Sequence, residues 1–239
     1  LLVSTYSRSL RKYQNPRDKK IILKTLEWIE QEMGSPDKGY ASSLSAETNE
    51  MEGAHYLWTE SELYEALGKA QGEQLEELWG TFAKSPDPLF LPRLVDEDLL
   101  SVERQEEIFN ELHMDRKKLT SPKRDEKRSC FQHALLVRAY LDTGVALGDQ
   151  ICIRKAGNLL NWMENSFSQP DGSVSSLLYP DNKKSSWAFL EDYTLWAEAV
   201  LNFASVCEGF GLGGNEIWIE KAETLISHAV KQFKDPALA

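Results

Sequence analysis

Cysteine is scarce in this chain: Cys130, Cys152 and Cys207 are too few and too far apart for a disulfide framework or a zinc knuckle. That usage fits a reducing compartment, and a cytoplasmic location is expected. No run of 18 apolar residues is present and residues 1–6 lack the form of a signal peptide, so no membrane partner is expected. Four histidines, His55, His113, His133 and His228, show no His-x-x-x-His spacing, and no Cys-x-x-Cys accompanies them, so no metal is expected. The glycine-rich segment 209–214 is not followed by the Lys and Ser/Thr of a phosphate loop and reads as a helix-breaking turn; no cofactor is implied. Positive charge is also in deficit, with 27 Lys and Arg against 38 acidic residues and a net charge of -11. Such a field repels a phosphate backbone, and no nucleic-acid partner is expected. The local exception, Arg116-Lys117-Lys118 followed by residues 123–128, reads as an exposed helix end and loop because acids interrupt it.

What the chain does have is a statement made twice. Trp28-Ile29-Glu30 leads into Ser35-Pro36-Asp37-Lys38-Gly39-Tyr40-Ala41-Ser42-Ser43-Leu44, and Trp162-Met163-Glu164 leads into Gln169-Pro170-Asp171-Gly172-Ser173-Val174-Ser175-Ser176-Leu177, 134 residues later. A repeated helix, Pro-Asp turn and short strand implies a fold that stacks equivalent units to bury faces no single unit can cover. Trp28 and Trp162 read as repeated core residues. With no Gly/Ser-rich linker, residues 1–239 read as a single helical-repeat domain. The absence of an initiator methionine suggests a piece of a longer protein.

Local signals mark the elements. Asn15-Pro16 caps a helix with Ile21, Ile22, Thr25, Ile29 and Met33 on its apolar side, ending near Gly34. Residues 39–40 and 54–58 read as short strands joined by an acidic loop. Thr59 with Glu62 forms a capping box for a helix that stops at Gly68. Leu75, Leu78, Trp79 and Phe82 suggest another helix, and residues 95–118 a charged one. A strongly apolar helix follows at 131–147, and Asp149 caps its successor. Residues 173–179 and 185–187 read as strands, residues 190–206 as a helix, and Asn215 begins the last one. Eight or nine helices with small β-hairpins give a mostly α fold, an incomplete α/α toroid with its hairpins on one rim; a superhelical solenoid is the alternative.

Several segments together resemble a known family. Glu52-Gly53-Ala54-His55-Tyr56-Leu57-Trp58-Thr59-Glu60 is similar to the Glu-Gly-x-x-Tyr-x-Trp-Thr element of the DUF255 family, the spermatogenesis-associated protein 20 and YyaL-like proteins. Ser45-Ala46-Glu47 stands where that family has Asp-Ala-Asp, Leu190-Glu191-Asp192-Tyr193 resembles its Leu-Glu-Asp-Tyr-Ala helix start, and Asp125-Glu126-Lys127 resembles the start of its Asp-Asp-Lys element. The resemblance implies a toroid of the six-hairpin glycosidase and sugar 2-epimerase type, without the thioredoxin-like domain such proteins carry. Gln132-His133-Ala134 replaces the family's Trp-Asn-Gly, so the resemblance also implies a degenerate or divergent copy.

Candidate chemistry gathers on the strand-bearing rim. Glu191 and Asp192 open a helix, where they either cap it or point into a cleft with Trp58, Trp187 and Tyr193 stacking on a sugar ring. Glu47 is the partner carboxylate that the resemblance implies. His133 and His55 suit the proton transfers of a 2-epimerase, although His133 on so apolar a helix also reads as a hydrogen-bonded core residue. Two readings stay open. One is a noncatalytic or degenerate module binding a carbohydrate or a protein partner; the other is a carbohydrate-modifying enzyme, a glycoside hydrolase or sugar 2-epimerase.

Overall fold

The computed structural model describes residues 1–35, 37–82, 88–211 and 215–234. Nine α-helices among them are α1 (Leu2–Tyr13), α2 (Pro16–Trp28), α3 (Glu60–Leu67), α4 (Lys69–Trp79), α5 (Val102–Arg116), α6 (Cys130–Leu147), α7 (Gln150–Phe167), α8 (Leu190–Gly209) and α9 (Asn215–Phe233). Short antiparallel hairpins accompany them, so the fold is mostly α. The chain forms two compact units, one from Leu1–Ser43 with Arg124–Ala239 and the other from Leu44–Lys123.

In the first unit three helical hairpins, α1–α2, α6–α7 and α8–α9, are built around α6. Helix α6 packs on its own partner α7 and on the leading helices α1 and α8 of the other two hairpins. That central place explains why α6 lacks a strong polar face: Ala134, Val137, Tyr140 and Leu141 are all buried, as a helix covered on several sides requires. Local chemistry sets the helix starts. The Asn15 side chain accepts from Arg17 N at 3.0 Å, and Asp149 accepts from Ile151 N at 2.7 Å. Helix α2 runs on through Trp28 into a π turn, Ile29–Met33, before the chain turns back.

The duplicated sequence produces duplicated geometry. Strands Gly34–Ser35 and Gly39–Tyr40 pair antiparallel around the first turn, with Lys38 N donating to Ser35 O at 3.1 Å. In the second turn Gly172 N donates to Gln169 O at 3.0 Å, and Ser168 bridges to Val174. After each turn one amide is taken by a side chain from the next leading helix. Tyr40 N donates to His133 Nε2 at 2.9 Å, and Val174 N donates to the Tyr193 hydroxyl at 3.3 Å. His133 and Tyr193 are each the fourth residue of their helices, α6 and α8. Between Tyr40 and His133, however, the first copy contains the whole second unit.

That second unit has its own core of Trp58, Leu63, Leu75, Trp79, Phe90, Ile108 and Leu112. Strand Trp58–Thr59 pairs with Leu89–Phe90, and Thr59 and Glu62 close the expected capping box at the start of α3. The buried Gln105 amide donates to Val95 O and Leu100 O and accepts from Val95 N, which fixes the loop before α5.

Some expectations are corrected. Trp28 is 46% exposed and is no core residue, because it falls on the outer face of α2. Residues 53–56 form a turn in place of a strand, so His55 and Tyr56 do not alternate between faces. Residues 185–187 carry no strand, and α5 begins only at Val102. The glycine-rich turn lies outside the described residues at 212–214.

Helices α6 and α7 approach closely at Gly144, where an added Cβ would meet Ile153 Cγ1 at 2.7 Å and Asp149 O at 3.1 Å. Alanine has the better helix propensity by about 1 kcal/mol, but overpacking against backbone typically costs 1–3 kcal/mol. Gly144→Ala is expected to lower stability in urea denaturation by about 1–2 kcal/mol; an unchanged or raised midpoint would show that the two helices separate freely.

Candidate functional site

The first unit carries an open cleft of about 410 Å³ lined by Glu30, Gly34, Ser35, Asp37, Gly39, Tyr40, Lys155, Asn158, Leu159 and Trp162. One wall is the π turn and the first Pro-Asp hairpin. The other is a single face of α7, since 155, 158, 159 and 162 recur at helical spacing. Volumes of this order suit a small-molecule ligand.

Two arginines hold the hairpin wall in place. Arg124 donates to Gly34 O at 3.1 Å and to Ser35 Oγ at 3.0 Å, and Arg128 donates through Nε to Lys38 O. Gly39 is required here twice over: its φ is 73°, and a Cβ would fall 2.5 Å from the Trp162 ring and 2.8 Å from His133 Nε2. The backbone therefore lies directly against the Trp162 and His133 rings.

Beneath the cleft the polar groups are tied to one another. Glu30 Oε1 accepts from Tyr140 Oη at 2.8 Å and also from Lys155 Nζ, while the Tyr40 and Tyr140 hydroxyls are 3.0 Å apart. Burial raises both phenols above their ordinary pKa, and the neighbouring Glu30 charge adds to the effect. Both therefore remain neutral hydrogen-bonding groups near pH 7. Trp162 is stacked on His133 with ring centroids 4.7 Å apart, and Phe167 meets both rings edge-on.

His133 is buried, with Nδ1 2.7 Å from Ser129 O and Nε2 accepting from Tyr40 N. A carbonyl on one nitrogen and an amide donor on the other require the neutral tautomer protonated at Nδ1. Burial, reinforced by the Arg128 charge against the Ser129 bond, lowers its pKa to about 4. Neither ring nitrogen is left for proton exchange with a ligand.

The other residues singled out from sequence fall elsewhere. Asp192 is fully buried and caps: Oδ1 accepts from Phe131 N at 3.2 Å and Oδ2 from Phe189 N at 2.8 Å. Burial still pushes its carboxyl above the usual range, the two amides offsetting part of the effect. Glu191 beside it is exposed, Trp187 is largely exposed with its ring against Phe189, and Tyr193 is buried. Glu47, His55 and Trp58 belong to the second unit. There Glu47 is exposed, His55 Nδ1 lies 3.1 Å from Thr120 O, and Trp58 is buried with the Arg116 guanidinium 5.2 Å from its ring.

None of these eight residues lines the cleft, although His133 backs Trp162. Sequence reasoning passed over Glu30, Asp37, Tyr40, Lys155 and Asn158. The available signal was the mixed polar and aromatic stripe of α7, Lys155, Asn158, Leu159 and Trp162, whose last member lies eight residues before Pro170 of the second Pro-Asp turn. Among the described residues no group of three or more His, Cys, Asp or Glu is placed to hold a metal, and no helix is long and apolar enough to cross a membrane. All three cysteines are buried thiols. No protein-family model matches the chain, and no curated protein matches it.

The neutral His133 has a signed pH consequence. Its folded pKa lies below the unfolded value of 6.5, so its stabilising contribution is present above pH 6.5 and is lost as pH falls toward 4. Linkage gives a loss of about 2 kcal/mol between pH 7 and pH 5. Denaturant titrations of wild type and His133→Gln at both pH values should show a flatter pH dependence in the variant; parallel curves would refute the neutral assignment.

Proposed function

We propose that this chain is a noncatalytic binding module, a divergent DUF255-like toroid segment, that holds a carbohydrate in the cleft between the first Pro-Asp hairpin and α7. The observation that carries the reading is the composition of that cleft. Trp162 and Tyr40 provide aromatic surface for a sugar ring, while Glu30, Asp37, Lys155 and Asn158 provide donors and acceptors for hydroxyl groups. A neutral polyol matches such a mixture better than an apolar ligand or a strong anion.

The toroid reading is supported by three helical hairpins whose leading helices α1, α6 and α8 pack in order through α6, with a Pro-Asp turn after α2 and after α7. A full six-hairpin ring needs about 12 helices, so the three hairpins of this unit correspond to an incomplete ring. The segments that resemble the DUF255 family are expected to be inherited from a catalytic ancestor, and a cytoplasmic location goes with the free thiols.

The noncatalytic reading is favoured by how the carboxylates are employed. Asp192 spends both oxygens on backbone amides, and Glu30 is held by Lys155 and Tyr140. A sugar hydrolase needs two carboxyl groups free to exchange protons or attack, roughly 5–9.5 Å apart. The second reading, a hydrolase or 2-epimerase, draws on the presence of two carboxylates, Asp37 and Glu30, in the lining of the same cleft.

Thermal-shift screening against mono- and disaccharides, followed by calorimetry, tests the proposal. Saturable binding is expected to weaken at least about tenfold in Asp37→Ala and Asn158→Ala, equivalent to about 1.4 kcal/mol, with the sugar recovered unchanged by NMR. Absence of binding across the panel would overturn the carbohydrate reading, and a hydrolysed or epimerised product would favour the enzyme.

A further inference from the structure

Charge in the first unit is sorted between its first and last hairpins. Helices α1 and α2 carry seven Lys and Arg against two acids, a net of +5 in a chain whose total is -11. Helices α8 and α9 carry seven acids against two lysines, a net of -5. Most of these groups are exposed: Arg8, Arg11, Lys12, Arg17, Lys19 and Lys24 on one hairpin, and Glu216, Glu220 and Glu223 on α9.

Apolar surface accompanies both patches. One face of α9, with Ala222, Leu225 and Ala229, is buried in the core, and Trp218 packs against Phe203. A second stripe, Ile219, Ile226, Val230 and Phe233, falls within about 60° of the helix circumference. Each of its residues is between 39% and 54% exposed. Glu216 and Glu223 border this stripe. On α2, Trp28 is exposed on the face that also presents Arg17 and Lys24, all three falling within about 40° of the helix circumference. The α9 stripe is about 21 Å long and α2 about 20 Å, so either helix can lie along the other.

We propose that these surfaces are the two halves of one interface, the α2 face of one molecule docking on the α9 face of a second copy of this chain. Complementary charge selects that pairing. Two basic faces or two acidic faces repel, so like faces do not pair, and the association is taken to run head to tail, each molecule offering one face to the next. The apolar stripe supplies the buried centre and the charges the rim, the arrangement of a protein–protein interface. A heterologous contact of this kind is not self-limiting unless its rotation closes a ring.

Sedimentation velocity over a concentration series tests the pairing. Wild type is expected to self-associate with concentration, and the association should weaken when salt is raised to about 0.5 M, where exposed charges are screened within a few ångströms. Ile226→Asp with Val230→Asp blocks the α9 face, and Arg17→Glu with Lys24→Glu blocks the α2 face. Each double variant, shown by circular dichroism to be folded, should be monomeric alone. Mixed, each still has one intact and complementary face, and they should form a 1:1 dimer of twice the monomer mass. Wild type that stays monomeric up to its solubility limit, or association unaltered by either double variant, would overturn the proposal. A mixture that fails to pair would overturn its head-to-tail geometry.

Discussion

A tight turn leaves an amide pointing inward, and a buried amide must have a partner. In the first unit this constraint is met twice by the same device: the fourth residue of the next leading helix supplies a side-chain acceptor. The acceptor itself is then held, His133 by Ser129 O and Tyr193 by donating to Gln232 Oε1 at 3.1 Å. Because the histidine ring also supports Trp162, the bond that satisfies one backbone group also sets the floor of the cleft. Packing, turn geometry and candidate ligand surface thus share one anchor.

The two copies have diverged in what they build on this anchor. The first uses a protonatable ring and adds Tyr40, whose hydroxyl joins Tyr140, Glu30 and Lys155. The second uses the Tyr193 phenol, with Lys184 and Lys221 held on the neighbouring Ser168, and Gly172 lies against His228 where Gly39 lies against Trp162. The first arrangement opens a cleft. Repetition therefore explains the scaffold, while the differences between copies explain where a ligand could be held.

Features encoded by neighbours in sequence were legible from sequence. Asn15, Thr59 with Glu62 and Asp149 cap as expected because each bond spans two or three residues. The mostly α character, the short hairpins and the apolar α6 were readable for the same reason. Trp28 and Trp162 could not be distinguished, since they occupy matching positions, but Trp162 is packed on the His133 and Phe167 rings and the Gly39 backbone while Trp28 is exposed; the difference is tertiary. Asp192 was legible equally as cap or acid, and only the amides of Phe131 and Phe189 decide how its oxygens are used. The cleft was missed because its walls are about 120 residues apart in the chain, and the periodicity of α7 suggested a core face.

The placement of residues 44–123 between α2 and α6 has a consequence for synthesis. Helices α1 and α2 are made before α6, yet Val3, Leu10, Ile22 and Leu26 belong to a core completed by α6 and later helices. At about 5–20 residues per second, the hundred or so residues before α6 emerges take roughly 5–20 s. During that interval the inserted unit has every residue of its own core available and can fold on its own, while the first helical pair waits uncovered. Within this unit the helical pair made first must wait longest for its cover, and its exposed basic hairpin is the segment a chaperone would meet.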